Sequence, residues 1–105
     1  MTFVENDPRV LSVLRKNLQK TGAVAAIVAG DVSTFLAGAS ETFDIILADP
    51  PYGSLDWSGL WKEAHGLLAT GGELVMEMGR EAELPAGLDV RSYGRTKVAI
   101  WRQTA

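Results

Sequence analysis

The stretch FDIILADPPYG, Phe43 to Gly53, changes chemical character halfway. Phe43 to Ala48 is an apolar run, which predicts a strand buried on both faces. Asp49, Pro50, Pro51 and Tyr52 follow it directly. A proline inside a strand removes a ladder donor, so two in succession end the strand and stiffen what comes next. Each proline keeps its carbonyl, and the segment becomes a rigid, acceptor-rich edge. The Asp49 carboxylate and the Pro50 carbonyl suit the two hydrogens of one exocyclic amine. Tyr52 offers a flat face for stacking a base. An amine held in this way has its lone pair aimed at an electrophile, and orientation then supplies most of the rate gain. The structural alternative is a stiff turn whose tyrosine covers the core.

Outward from this point the chain alternates strand and helix. Thr2 to Glu5 is a short β-rich run. Asp7 and Pro8 read as an N-cap and a first helical residue. Val10, Leu11, Leu14 and Leu18 recur at helical spacing, and Gly22 is a stop. Ala25 to Asp31 predicts a second strand, and about Val32 to Ala39 a short helix. After Phe43 to Ala48, the spacing predicts a helix from about Asp56 to Ala69, ended by Gly71-Gly72. Glu73 to Met78 is a fourth strand. Leu88 to Gln103 reads as a hairpin around Gly94.

Strand-helix alternation implies right-handed crossovers and a parallel sheet with helices on both faces, here with an antiparallel hairpin at its edge. In such α/β sheets ligands bind outside the carboxyl ends of the strands. Glu5, Asp31 and Asp49 sit at three of those ends. Glu5 suits the hydroxyls of a ribose; it also suits a solvated turn or a helix start. Asp31 suits an amino group on an adenine ring; it equally suits an N-cap. His65, the single histidine, has no partner at metal spacing and reads as structural or surface. Trp61 reads as core, and Trp57 as a residue near a pocket. Arg80, Arg91, Arg95, Lys97 and Arg102 fall late in the chain, where a solvated edge hairpin is the simpler reading than contact with RNA phosphates.

Composition narrows the classes. The 105 residues suit a single domain over residues 1–105, with 47% hydrophobic and 22% charged residues, an ordinary globular balance. Cysteine is absent, which excludes disulfides and cysteine-ligated metal. No apolar run approaches the roughly 20 residues of a membrane span, and the first residues lack the pattern of a signal peptide. The net charge of −3 is unusual for a chain that grips nucleic acid by itself.

In order, FVENDP, GD, ADPPYG, GGELVMEM and SYGRTKVAIWR resemble class I S-adenosylmethionine-dependent methyltransferases. More narrowly they are similar to the bacterial family that methylates guanine N2 in 16S ribosomal RNA. The likeness covers nearly all of the chain and the C-terminal part of that family's domain. It implies a Rossmann-like, mostly parallel sheet with a C-terminal hairpin, without the family's first strand and glycine-rich loop. It implies that Glu5 binds the cofactor ribose, that Asn6 also contacts the cofactor, and that Asp31 and Val32 hold its adenine. Asp49, Pro50, Pro51 and Tyr52 would position the guanine amine, with Asp49 also beside the cofactor. Transfer would be an in-line displacement at the sulfonium methyl, without metal. The implied partner is ribosomal RNA or the small ribosomal subunit, in the cytoplasm. The strand missing between Thr2–Glu5 and Phe43–Ala48 would leave edges that template self-association. Two other readings fit the same residues. One is an adenine-N6 or other amino methyltransferase acting on DNA, RNA or protein. The other, favoured by the missing glycine loop, is an inactive folded remnant or dimerising module.

Overall fold

The structure is a computed structural model that describes residues 1–49, 57–82, 84 and 87–104. It divides into two compact units, Met1–Ala39 and Ser40–Ala105.

The first unit contains β1 (Thr2–Glu5), α1 (Pro8–Thr21), β2 (Ala26–Ala29) and α2 (Val32–Gly38). Asp7 caps α1 by accepting a hydrogen bond from the Arg9 backbone N–H at 2.9 Å, and Pro8 opens the helix. Gly22 closes it with φ 72°, a left-handed conformation that favours glycine, and its N–H donates to the Leu18 carbonyl. β1 and β2 pair in parallel, from Thr2 opposite Ala26 to Glu5 opposite Ala29. Leu11 is the one buried hydrophobic side chain among this unit's described residues.

The second unit contains β3 (Phe43–Ala48), α3 (Trp57–His65), β4 (Leu68–Gly79), β5 (Asp89–Tyr93) and β6 (Thr96–Arg102). Its four strands run in the order β3-β4-β6-β5, with β3 parallel to β4 and the remaining pairs antiparallel. Alternation along β4 separates two faces. Leu74, Met76 and Met78 are buried with Ala99 of β6 and with Leu60, Trp61 and Ala64 of α3. Glu73, Val75 and Glu77 lie on the opposite face and are half-buried.

Four expectations are corrected. First, the parallel strands form no single sheet among the described residues; β1-β2 and β3-β4 belong to separate ladders. Second, β3 is not buried on both faces. Ile45 is 66% and Leu47 76% exposed, because β3 borders its sheet and only Ile46 and Ala48 share the face of Leu74 and Met76. Third, Gly71-Gly72 does not end a helix running to Ala69. α3 ends at His65, and both glycines lie inside β4. Gly71 takes φ 81° at a register irregularity of the β3-β4 ladder. A Cβ on Gly72 would stand 2.9 Å from the Ala69 carbonyl oxygen, 3.0 Å from that of Asp44 and 3.1 Å from that of Phe43. Fourth, the second strand is shorter than Ala25 to Asp31, leaving Asp31 free to cap α2.

Candidate functional site

In the first unit the parallel register brings Glu5 and Asp31 to one end. Glu5 is the last residue of β1, and its carbonyl accepts from the Gly30 N–H at 2.9 Å. That bond fixes the turn carrying Asp31 beside the end of β1. The Glu5 Oε1 accepts from the backbone N–H groups of Asn6 at 3.2 Å and Asp7 at 3.1 Å. The Asp31 Oδ2 accepts from the Thr34 N–H at 3.3 Å, and this capping bond starts α2 at Val32. Both acids therefore perform the structural jobs weighed for them. Each uses one oxygen. Glu5 Oε2 and Asp31 Oδ1 take no partner among the described residues. Two carboxylate oxygens and the exposed Asn6 thus border the carboxyl end of a parallel strand pair. Such a rim suits the hydroxyl and amino donors of a nucleoside, which is the donor set of the cofactor implied by the sequence.

In the second unit Asp49 follows β3 at the corresponding end and is exposed. It lines an open concavity of about 240 Å³ with Leu47, Ala48, Val75, Glu77 and Val98. Among the described residues its lining is apolar apart from Asp49 and Glu77. Pro50, Pro51 and Tyr52 lie outside the described residues, as does the Trp57 side chain. Glu77 was not singled out in the sequence. Its place follows from the alternation of ELVMEM, which turns Glu77 away from Met76 and Met78, opposite Val98 of β6.

His65, Trp61, Arg91 and Arg102 make contacts within the fold. His65 places its ring centroid 4.9 Å from that of Trp101, and its Nδ1 is 3.0 Å from the Lys62 carbonyl oxygen. Trp61 is core, as expected. Arg102 pairs with Glu73 and Arg91 with Asp89, and each carboxylate raises the pKa of its guanidinium partner. Among the described residues no group of three or more His, Cys, Asp or Glu side chains is placed to hold a metal ion. No helix among them is long and apolar enough to cross a membrane.

A family model described as conserved hypothetical protein 95 matches residues 1–102. Among solved structures, a hypothetical protein of Thermus thermophilus shares 32% identity with a TM-score of 0.84; the match covers 99% of this chain and 61% of that one. A candidate methyltransferase of Escherichia coli is 26% identical with a TM-score of 0.77, over 99% of this chain and 62% of that one. A 16S rRNA guanine-N2 methyltransferase of Thermus thermophilus, solved with S-adenosylmethionine and guanosine, has the same fold at 21% identity and a TM-score of 0.78. That match covers 97% of this chain and 31% of the enzyme. Among curated proteins none matches the chain in sequence. The chain thus spans just over three fifths of the first two proteins.

Proposed function

The chain belongs to the family described as conserved hypothetical protein 95, and we propose that it is the C-terminal part of one S-adenosylmethionine-dependent methyltransferase domain acting on guanine N2 of 16S ribosomal RNA. The observation that carries this reading is the repeated placement of an acid at the carboxyl end of a parallel strand, in Glu5, Asp31 and Asp49. A substrate of that kind belongs to the cytoplasm.

The roles of Glu5, Asp31 and Asp49 are supported by their positions at strand ends, and those of Pro50, Pro51 and Tyr52 by the sequence. Glu5, with Asn6 beside it, accepts the ribose hydroxyls through Oε2, while Oε1 stays bound to the start of α1. Asp31 accepts the adenine amino group through Oδ1, while Oδ2 holds Thr34 and thereby Val32 in place. When bound, S-adenosylmethionine supplies an electrophilic methyl group. Asp49 accepts a hydrogen of the target amine, with the Pro50 carbonyl as second acceptor and Pro51 stiffening the chain. Tyr52 stacks on the unpaired base. Asp49 also stands ready to take the proton that the amine releases on methylation.

Calorimetric titration with S-adenosylhomocysteine tests the first half. Glu5→Ala should weaken binding about tenfold or more, the value of hydrogen bonds to a charged group. Affinity equal to that of the unaltered chain would remove Glu5 from the site. Transfer of a labelled methyl group to small-subunit RNA tests the second half. Asp49→Ala should slow it about a hundredfold, as a misplaced nucleophile does, with cofactor affinity intact. Label recovered on adenine N6 would replace the guanine assignment.

A further inference from the structure

The hairpin tip of the second unit stands at the same sheet end as Asp49. β3 and β4 are parallel, so Asp49 and the residues after Gly79 leave the sheet on one side. β6 is antiparallel to β4 and opposes Thr96 to Gly79, which brings the β5-β6 turn to that side as well. In this register Asp49 is level with Glu77. The turn lies two residues beyond it, roughly 7 Å along the strands, and two strand spacings, roughly 10 Å, across the sheet.

Two arginines meet at this tip. The Arg80 N–H donates to the Arg95 carbonyl at 2.9 Å, and Arg80 Nη1 reaches the Gly94 carbonyl at 3.4 Å. Gly94 has φ 60°, the conformation that lets the chain reverse there. Both arginines are exposed, and neither forms an ion pair among the described residues. Tyr93, which ends β5 just before the turn and whose side chain interacts with that of Arg91, is 61% exposed. The other late basic residues are engaged. Arg91 pairs with Asp89, Arg102 pairs with Glu73, and Lys97 Nζ donates to the Ala82 carbonyl at 3.0 Å. Protection of an edge strand does not account for the difference. Guard charges lie along the edge, where Asp89 and Arg91 neutralise each other on β5. Arg80 and Arg95 lie off the strands, joined through their backbones, in a chain whose net charge is −3. Two exposed arginines without ion pairs among the described residues, one held by its side chain to the Gly94 carbonyl, at a turn that follows an exposed tyrosine, match a phosphate backbone with an unstacked base.

We propose that Arg80, Tyr93 and Arg95 form the contact for the single-stranded RNA that presents its amine to Asp49. The assignment rests on the methyltransferase reading above. The two guanidiniums take phosphates of nucleotides flanking the target, and the Tyr93 ring takes a neighbouring base. These contacts set the register of the strand, and base choice is left to the site at Asp49.

The test is fluorescence anisotropy of a short labelled single-stranded RNA with the full 105-residue chain over a range of salt concentrations. The double variant Arg80→Gln with Arg95→Gln should lower the slope of log affinity against log salt by about 1.4, which is about 0.7 for each lost phosphate contact. Arg80→Lys with Arg95→Lys should restore the slope. Tyr93→Ala should weaken binding about fivefold or more at every salt concentration. Arg102→Gln, at the opposite end of the same sheet, should leave the slope unchanged. An unaltered slope in the double glutamine variant would overturn the proposal, as would a chain that binds no RNA. Equal binding of a polyglutamate peptide would assign the tip to an acidic protein and overturn it too. Titration of the same samples with S-adenosylhomocysteine separates the two readings. Loss of cofactor binding by the unaltered chain speaks against the methyltransferase assignment, whereas the RNA slope reports on the tip alone.

Discussion

β1 in the first unit and β4 in the second are both paired in parallel with a neighbour, yet they differ in burial. All four residues of β1 are half-buried, whereas alternate residues of β4 are buried from Gly72 to Met78. The cause is the number of neighbours. β4 lies between β3 and β6 and carries α3 against one face. β1 has β2 on one side, and no second ladder partner among the described residues. The same strand-helix alternation therefore gives a filled core in one unit and a thin one, centred on Leu11, in the other. An apolar strand is buried by what stands beside it as well as by its own side chains. β3 makes the point again, with Ile45 and Leu47 facing solvent.

Three substitutions would break or sharpen this contrast when followed by chemical denaturation and amide hydrogen exchange. Leu74→Ala should have the largest effect. Leu74 is fully buried, and truncation there should cost about 2–5 kcal/mol, with protection lost across β3, β4 and β6. Equal loss of protection in β1 would show that the units unfold together and would end the contrast. Gly72→Ala comes next. Its new methyl group would press on three carbonyl oxygens of the backbone, costing about 1–3 kcal/mol through overpacking. An unchanged denaturation midpoint would mean that the irregularity at Gly71 can absorb the methyl group. Asp7→Ala should be the smallest, about 1 kcal/mol for a lost N-cap. Its exchange should speed up along α1 and leave β4 untouched. A faster exchange at β4 would again tie the units together.

Much of this was legible along the chain because it depends on near neighbours. Asp7-Pro8 and Gly22 mark the ends of α1, as their local hydrogen bonds require. Gly94 marks the hairpin turn. The alternation in ELVMEM predicts a strand with two unlike faces, as β4 has. Gly71-Gly72 was misread because the same dipeptide serves as a helix stop and as a point of close backbone approach. Only the carbonyls of Phe43 and Asp44, distant in sequence, distinguish the two. Within the candidate site, Glu5, Asp31 and Asp49 were visible as acids after apolar runs. Glu77 and the pairing of Arg80 with Arg95 were not, since each depends on the register of β6 against β4.

By itself the sequence determined the elements, their caps and the acids at the strand ends, because these follow from bonds spanning a few residues and from side-chain periodicity. The tertiary structure decided which strands became neighbours and therefore which apolar faces were covered. It also decided which charges found partners, leaving Arg80 and Arg95 without ion-pair partners among the described residues. Those outcomes depend on register between distant segments, where a shift of one residue reverses every side chain.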